Sequence, residues 1–326
     1  MKHINDMQGV RAAESEIDVM EFDKLLFCND SDIEFESVIE FDTKFETKTR
    51  VLKHIQQRLK DELCLLALQW RMWLLCLFID IYCASMLFRN LAFYGFRAGP
   101  RLTQDLGHAL LPEWKGFWTD QPMYVLRCVL LIASGMTFVP QSRSKPVCYV
   151  VNIWRRWGMM IAMGNILRFL TYISTTLPGS AAHCLPSNSN IENDQPKTLY
   201  NILFRITLDG NGDGTFGTYN CGDLTFSGHI LMTMTYAFCC VRYVPNTCAM
   251  TAEVEHVFKI FVWCIVIVQC LFTIMARNHY TMDVIIALYL TPLLWSFYTT
   301  RMEPKHIALG VATLSPIPLK HSFASQ

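Results

Sequence analysis

The chain alternates between long apolar runs and shorter polar stretches. Six runs come close to the roughly 20 residues that a helix needs to cross a bilayer. They cover residues 64–88, 122–140, 148–173, 226–243, 257–276 and 282–299. The pattern therefore predicts an all-α membrane protein with six transmembrane helices.

The composition supports a membrane protein and excludes an ordinary water-soluble domain. Of the 326 residues, 52% are hydrophobic and only 17% are charged, whereas soluble domains usually have about 25% charged residues. This is too little charge to cover a globule in water. The formal net charge is zero, which argues against nucleic acid as a partner.

The charges are unevenly placed along the chain. Residues 1–43 are rich in Asp and Glu, and residues 44–60 are rich in Lys and Arg. A basic segment just before the first apolar run is typical of a cytosolic N-terminus, and six crossings would return the C-terminus to the same side. The predicted organisation is a cytosolic acidic tail with a basic juxtamembrane segment (1–60), a six-span membrane domain (61–300) and a cytosolic C-terminal tail (301–326).

Two histidines stand at the start of apolar runs that enter the membrane from the lumenal side. His229 opens the fourth run, and His279 precedes the sixth. Because the chain crosses twice between them, topology places both at the same lumenal depth. Ionisable groups at membrane depth are functional candidates by default, although polar packing between helices is the alternative for each one.

Asp283 follows His279 by four residues, so both side chains share one helical face. A carboxylate in that position can hold an imidazole in one tautomer and stabilise its cation. His229 is then available as a separate proton donor or acceptor. The three residues together predict a catalytic site that works by acid–base and nucleophilic chemistry.

These residues lie in strings that resemble a known family. The pattern S-G-H followed by H-x-x-x-D looks like the lipid phosphate phosphatase superfamily. The longer strings CGDLTFSGHI (221–230) and HYTMDVIIALY (279–289) resemble the sphingomyelin synthase and inositol phosphorylceramide synthase family more closely. A looser third match contains Arg168, TTLPG (175–179) and Cys184, with Asn165 where many members have Tyr. The resemblance covers about residues 99–298.

The resemblance implies a phosphatase-like helical bundle, with residues 61–300 as the catalytic domain. It also implies transfer of a phospho-headgroup from a glycerophospholipid to the primary hydroxyl of ceramide, with release of diacylglycerol and no metal or organic cofactor. By analogy His279 attacks phosphorus, Asp283 orients it, and His229 protonates the leaving oxygen and then deprotonates ceramide. The two histidine roles are also compatible with the reverse order.

Further residues receive roles from their positions in these motifs. Substrate binding is expected from Arg168, as a charged partner of the phosphodiester, and from Asp223, Ser227, Gly228 and Tyr280.

Cys184 and Cys221 both fall in a lumenal loop, where oxidation is allowed, so a disulfide between them is one possibility. Arg155 and Arg156 are expected to reach cytosolic lipid headgroups.

The headgroup is the main question that the motifs leave open. GPRLTQDLG (99–107) and the TTLPG turn resemble plant and protist inositol phosphorylceramide synthases. They favour phosphoinositol over phosphocholine, with phosphoethanolamine third. A Golgi or endoplasmic reticulum membrane, with a lumenal site and cytosolic termini, suits this chemistry. The sequence leaves the oligomeric state open, a homo-oligomer included.

Two other functions compete with the transferase. A lipid phosphate phosphatase would use the same His and Asp residues with water as the acceptor. Against it, the chain has no Arg-Pro dipeptide and reads CGDxxxSGH instead of PSGH. A membrane scaffold or channel would leave the His and Asp residues without a role.

Overall fold

A computed structural model describes residues 44–88, 91, 105–114, 117–139, 149–174, 177–180, 184 and 224–302. The chain divides into two compact units, Met1–Thr49 and Arg50–Gln326. Only residues 44–49 of the first unit are described, and they are helical. Apart from these six residues, the features below belong to the second unit.

The described residues form helices, short turns and no strand. The helices are α1 (Lys44–Leu68), α2 (Trp70–Leu77, continued by a π-helical segment Phe78–Leu87), α3 (Leu106–Leu110), α4 (Gln121–Met136), α5 (Val150–Ser174), α6 (Gly228–Thr247), α7 (Ala252–Met275) and α8 (Thr281–Phe297). A 3-10 turn (Phe117–Asp120) leads into α4, and a π-helical turn (Tyr298–Met302) follows α8. The all-α prediction is confirmed for this part of the chain.

Each of the six predicted runs overlaps a helix, but not all of these helices have the length and composition of a span. Ala252–Met275 and Thr281–Arg301 are long and apolar enough to cross a bilayer. Val51–Leu68 and Trp70–Ala84 qualify only as a pair that bends by 70°, so the first predicted run is broken at Gln69. α4 has only 16 residues. The count of six crossings, and a bundle built on it, therefore stays a prediction.

Helix α6 is the centre of the hydrophobic core. It contacts α4, α5, α7 and α8, and apolar side chains from all five helices form one buried cluster. Its residues Ile230 and Ala237 are fully buried, as are Leu126 of α4 and Ala287 of α8. Because α6 begins directly after Ser227, the same packing fixes where His229 lies.

The start of α5 is capped by a carboxylate from α1. Glu62 is 5% exposed, and its two oxygens accept hydrogen bonds from Val150 N (2.7 Å) and Val151 N (2.9 Å). Free N–H groups at a helix start need such partners. Glu62 thus joins α1 to α5.

The prediction that Arg155 and Arg156 reach lipid headgroups is wrong. Both are buried, with exposures of 5% and 1%. The Arg156 guanidinium lies over the rings of Trp295 (5.4 Å), Tyr243 (5.5 Å) and Tyr298 (6.0 Å). Aromatic faces attract a cation, so this arginine packs inside the protein between α5, α6 and the end of α8.

Candidate active site

The N-terminus of α8 carries the first half of the site. His279 lies in the turn before the helix, and Asp283 lies in its first turn. Asp283 has no exposed surface and His279 is 6% exposed. Asp283 Oδ2 is 3.2 Å from His279 Nδ1 and accepts a hydrogen bond from Tyr280 N at 3.1 Å. With Nδ1 directed at the carboxylate, the other ring nitrogen, Nε2, is the one left for chemistry.

Asp283 also holds the segment that leads into α6. Its Oδ1 accepts a hydrogen bond from Thr225 N at 2.9 Å, and its backbone carbonyl accepts one from Ser227 N at 3.2 Å. Thr225 has a φ of 87°, which is unfavourable for a β-branched residue. This strained residue thus supplies a hydrogen bond to the carboxylate that contacts His279.

The N-terminus of α6 carries the second half. Ser227 caps the helix, with its Oγ accepting from Ile230 N, and His229 lies in the first turn. The rings of His229 and His279 are 5.7 Å apart between centroids and cross at 69°. The structure therefore brings together the two histidines that the predicted topology places at one depth.

Asp120 joins these residues, and sequence reasoning missed it. Its Oδ1 lies 3.6 Å from His229 Nε2, and burial raises the pKa of its carboxyl above the ordinary value. The neighbouring residue Thr119 is held by Gln269 of α7, whose Nε2 donates to the Thr119 carbonyl at 2.9 Å. An Asp next to the end of a predicted span is common, so the sequence offers no specific signal for Asp120.

Arg168 of α5 approaches the start of α6. Its Nε donates to the Phe226 carbonyl at 3.0 Å, and its Nη1 donates to Asn165 Oδ1 at 3.3 Å. A side chain on Gly228 would come within 2.6 Å of Arg168 Nη1, so the glycine of the S-G-H string leaves room for the guanidinium. Arg168 thus lies beside the start of α6, and its role in phosphate binding stays a prediction.

Two further expected site residues, Tyr280 and Cys184, lie within the described residues. The Tyr280 hydroxyl donates to the Pro178 carbonyl at 3.0 Å, which ties the end of the TTLPG turn to α8. Cys184 is disulfide-bonded. Cys221 and Asp223 lie outside the described residues, so the pairing of Cys184 with Cys221 stays a prediction.

In this arrangement the His279 imidazole contacts the buried carboxylate of Asp283. The His229 imidazole lies beside the partly exposed carboxylate of Asp120. The first combination suits a nucleophile or base, and the second suits proton transfer. A cationic side chain lies near the second histidine. The set fits displacement at a phosphorus centre whose leaving group needs a proton.

Comparisons with known proteins identify relatives of this chain. The family described as "PAP2 superfamily C-terminal" matches residues 220–300, the segment that contains both histidines. Phosphatidylinositol:ceramide inositolphosphotransferase 2 of Arabidopsis thaliana is 31% identical over 241 residues, which are 74% of this chain and 73% of the relative. The chain belongs to the sphingolipid synthase family.

Other members of the sphingolipid synthase family match over different lengths. Phosphatidylinositol:ceramide inositolphosphotransferase of Oryza sativa subsp. indica is 28% identical over 83% of this chain and 78% of its own length. Human phosphatidylcholine:ceramide cholinephosphotransferase 1 is 30% identical, but over only 47% of this chain and 35% of its own length.

Proposed function

We propose that this protein transfers phosphoinositol from phosphatidylinositol to the primary hydroxyl of ceramide and releases diacylglycerol. The observation that carries the proposal is the pair of facing imidazoles, 5.7 Å apart, of which one is hydrogen-bonded to a fully buried carboxylate. Membership of the family makes the chain a ceramide phosphotransferase. The headgroup, the residue roles and the product are the proposed part.

In the first half-reaction His279 Nε2 attacks phosphorus. A nitrogen–phosphorus bond forms, and the bond from phosphorus to the diacylglycerol oxygen breaks. Protonated His229 gives its proton to that oxygen, so diacylglycerol leaves as the neutral alcohol. Asp283 stabilises the positive charge that develops on His279.

In the second half-reaction ceramide replaces diacylglycerol. Neutral His229 removes the proton from the ceramide hydroxyl, and the alkoxide oxygen attacks phosphorus. The nitrogen–phosphorus bond breaks, and His279 returns to its starting state. Arg168 provides positive charge for the phosphodiester. Asp223, Ser227, Gly228 and Tyr280 complete the substrate-binding segments, and a Cys184–Cys221 disulfide would tether the loop between them.

The choice of phosphoinositol is supported by the length of the matches. Relatives named for inositol transfer match 69–83% of this chain, whereas relatives named for choline transfer match 47–51%. Phosphocholine transfer is therefore the second candidate. We place the site on the lumenal side of a Golgi or endoplasmic reticulum membrane, with both termini in the cytosol.

The donor is tested by incubating the purified protein with fluorescent ceramide and one donor at a time: phosphatidylinositol, phosphatidylcholine or phosphatidylethanolamine. Fluorescent inositol phosphorylceramide formed only with phosphatidylinositol is expected. A product from phosphatidylcholine alone would replace the proposed donor. No product with any donor, together with phosphate release from phosphatidic acid, would make the protein a phosphatase.

The histidine roles are tested with a donor whose leaving group needs no proton. His229→Ala should regain the first half-reaction, measured as a burst of p-nitrophenolate, when the diacylglycerol ester is replaced by a p-nitrophenyl ester of phosphoinositol, because p-nitrophenolate leaves unprotonated. Transfer to ceramide should stay slow in this variant, because His229 is also the base of the second half-reaction. His279→Ala should stay inactive with both donors. His256→Ala, at an exposed position of α7, is the matched control. Recovery of His279→Ala instead of His229→Ala would reverse the two roles.

A further inference from the structure

The segment before α4 is attached to the turn that carries His279. Asp105 and Thr281 are 176 positions apart in the chain, yet Asp105 Oδ2 accepts a hydrogen bond from Thr281 N at 2.9 Å. Asp105 Oδ1 accepts one from the Thr281 hydroxyl at 2.7 Å. Thr281 is the first residue of α8, so the carboxylate lies at the helix N-terminus, where free N–H groups and the helix dipole favour a negative charge.

Other hydrogen bonds reinforce this attachment. His108 Nε2 lies 3.1 Å from the carbonyl oxygen of His279. Arg277 Nη2 donates to the carbonyls of His108 and Leu111, at 2.9 Å each. The backbone of His279 is thus held by this segment, and its ring is held by Asp283. We call residues 105–111 the clamp segment.

Close packing fixes the distance between the clamp segment and α8. Gly107 N donates to Thr281 Oγ1 at 3.0 Å, and a Cβ on Gly107 would overlap Thr281 Oγ1 and come within 2.9 Å of Ile274 Cγ2. Only glycine allows this approach. The Thr281 hydroxyl therefore donates to Asp105 and accepts from Gly107, so both of its hydrogen-bonding functions are used.

We infer that Asp105 is a positioning residue for the transfer reaction, acting through Thr281 to hold His279 at the distance from His229 that the reaction requires. This inference rests on the proposed function. Because Asp105 acts on His279 through Thr281, this role requires no contact between Asp105 and substrate. Its effect should therefore appear in the rate of the chemical steps and not in the binding of either lipid.

The charge of Asp105 fits this role. Burial raises the pKa of the carboxyl, but the hydrogen bonds from His108 and Thr281 outweigh burial and lower it below the ordinary value. The group stays ionised at neutral pH. Asp105→Asn keeps the shape of the side chain but places an NH2 group against one of the donors of Thr281 or His108.

The experiment compares kcat and KM for both lipids in four variants of the full-length protein. Asp105→Asn, Thr281→Val and Gly107→Ala each disturb the attachment in a different way, and Thr281→Ser keeps the hydroxyl. We expect kcat to fall about ten- to a hundredfold in the first three, since misplacement of a reacting group by about 1 Å can cost a hundredfold. KM should change less than about threefold, and Thr281→Ser should stay near wild type.

Two controls and one cycle separate positioning from general damage. Asp61→Asn removes a carboxylate of α1 that is hydrogen-bonded to Gln57, and Gly135→Ala adds a Cβ in open space. Both should retain wild-type kcat. The double variant Asp105→Asn/Thr281→Val should be no slower than its slower parent, because both changes break the same contact.

Several outcomes would overturn the inference. An active wild type with unchanged kcat in Asp105→Asn would remove the role directly. A fall in kcat that only follows the loss of folded protein, measured by thermal melting, would make Asp105 merely structural, as would additive effects in the double variant. A wild type that is inactive on ceramide with every donor would overturn the proposed function and this inference together.

Discussion

Replacing Asp283 by Asn tests the proposed chemistry most directly. Asp283 accepts three hydrogen bonds: Oδ2 accepts from His279 Nδ1 and Tyr280 N, and Oδ1 accepts from Thr225 N. An Asn side chain has one oxygen and one NH2 group, so it has to give up at least one of these bonds. The two orientations of the amide have different costs.

With its oxygen in the Oδ2 position, Asn loses only the bond from Thr225. With its oxygen in the Oδ1 position, it loses the bond from Tyr280 and forces His279 to accept at Nδ1, which places the proton on the attacking nitrogen. A buried donor left unpaired costs about 1–3 kcal/mol. The first orientation is therefore preferred, and we expect stability to fall by about 1–3 kcal/mol.

The loss of activity should be larger than the loss of stability. In the preferred orientation His279 keeps its tautomer, but its developing positive charge no longer faces a buried carboxylate. Removing one partner of a buried ion pair costs about 3–5 kcal/mol. At about 1.36 kcal/mol for each tenfold change in rate, the turnover of Asp283→Asn should be lower by roughly 160-fold to 4,700-fold.

The assay is the transfer of headgroup to fluorescent ceramide at saturating phosphatidylinositol, with thermal melting of the same samples. Asp61→Asn serves as the control because its carboxylate lies on α1 and is hydrogen-bonded to Gln57. If Asp283→Asn keeps more than about a tenth of the wild-type turnover, the carboxylate does not stabilise a histidine cation in the rate-limiting step. The mechanism proposed for His279 would then fail.

Four smaller effects should accompany it. Asp120→Asn should lower turnover by about 1.4-fold to fivefold, since a partly exposed ion pair with His229 contributes about 0.2–1 kcal/mol; an unchanged rate would separate Asp120 from catalysis. Tyr280→Phe should lower the melting temperature through the loss of about 1 kcal/mol while turnover persists, because the hydroxyl is bonded to the Pro178 carbonyl and the ring is kept. A large loss of turnover would show that the hydroxyl itself contacts substrate. Glu62→Gln should likewise destabilise the protein by about 1–2 kcal/mol, because one N–H at the start of α5 loses its acceptor. Thermal melting measures this loss, and an unchanged melting temperature would contradict it. The folded protein lowers the pKa of Asp105 from its unfolded value of 3.8. The ionised carboxyl therefore contributes stability at pH values above 3.8, and this contribution disappears as the pH falls through the folded pKa. Below about pH 3.8 the melting temperature of the wild type should fall faster than that of Asp105→Asn, and parallel curves would contradict this.

The sequence predicts best what depends on short-range patterns. Apolar runs identify the positions of the helices because a helix that faces lipid needs a continuous apolar surface. The approach of His229 to His279 is expected from the predicted crossings between two motifs. Both inferences need only the order of residues along the chain.

Contacts between distant segments are less predictable. Nothing in the string GPRLTQDLG says that Asp105 meets Thr281, because the hydrogen bonds arise only when α8 is in place. Arg156 is the opposite case, since a charge near the end of an apolar run usually reaches the membrane surface. Its burial depends on three aromatic rings from two other segments, α6 and the end of α8, which no local pattern reports.

The clamp segment has a consequence for synthesis of the protein. At roughly 5–20 residues per second, about 10–35 s separate the production of Asp105 from that of Thr281, which follows 176 positions later. During this interval the carboxylate and the carbonyls of the clamp segment have to be satisfied by water or other partners. A chain that stops before residue 277 never completes the attachment, so residues 105–111 of such a fragment should be cut readily by proteases that spare them in the full-length protein.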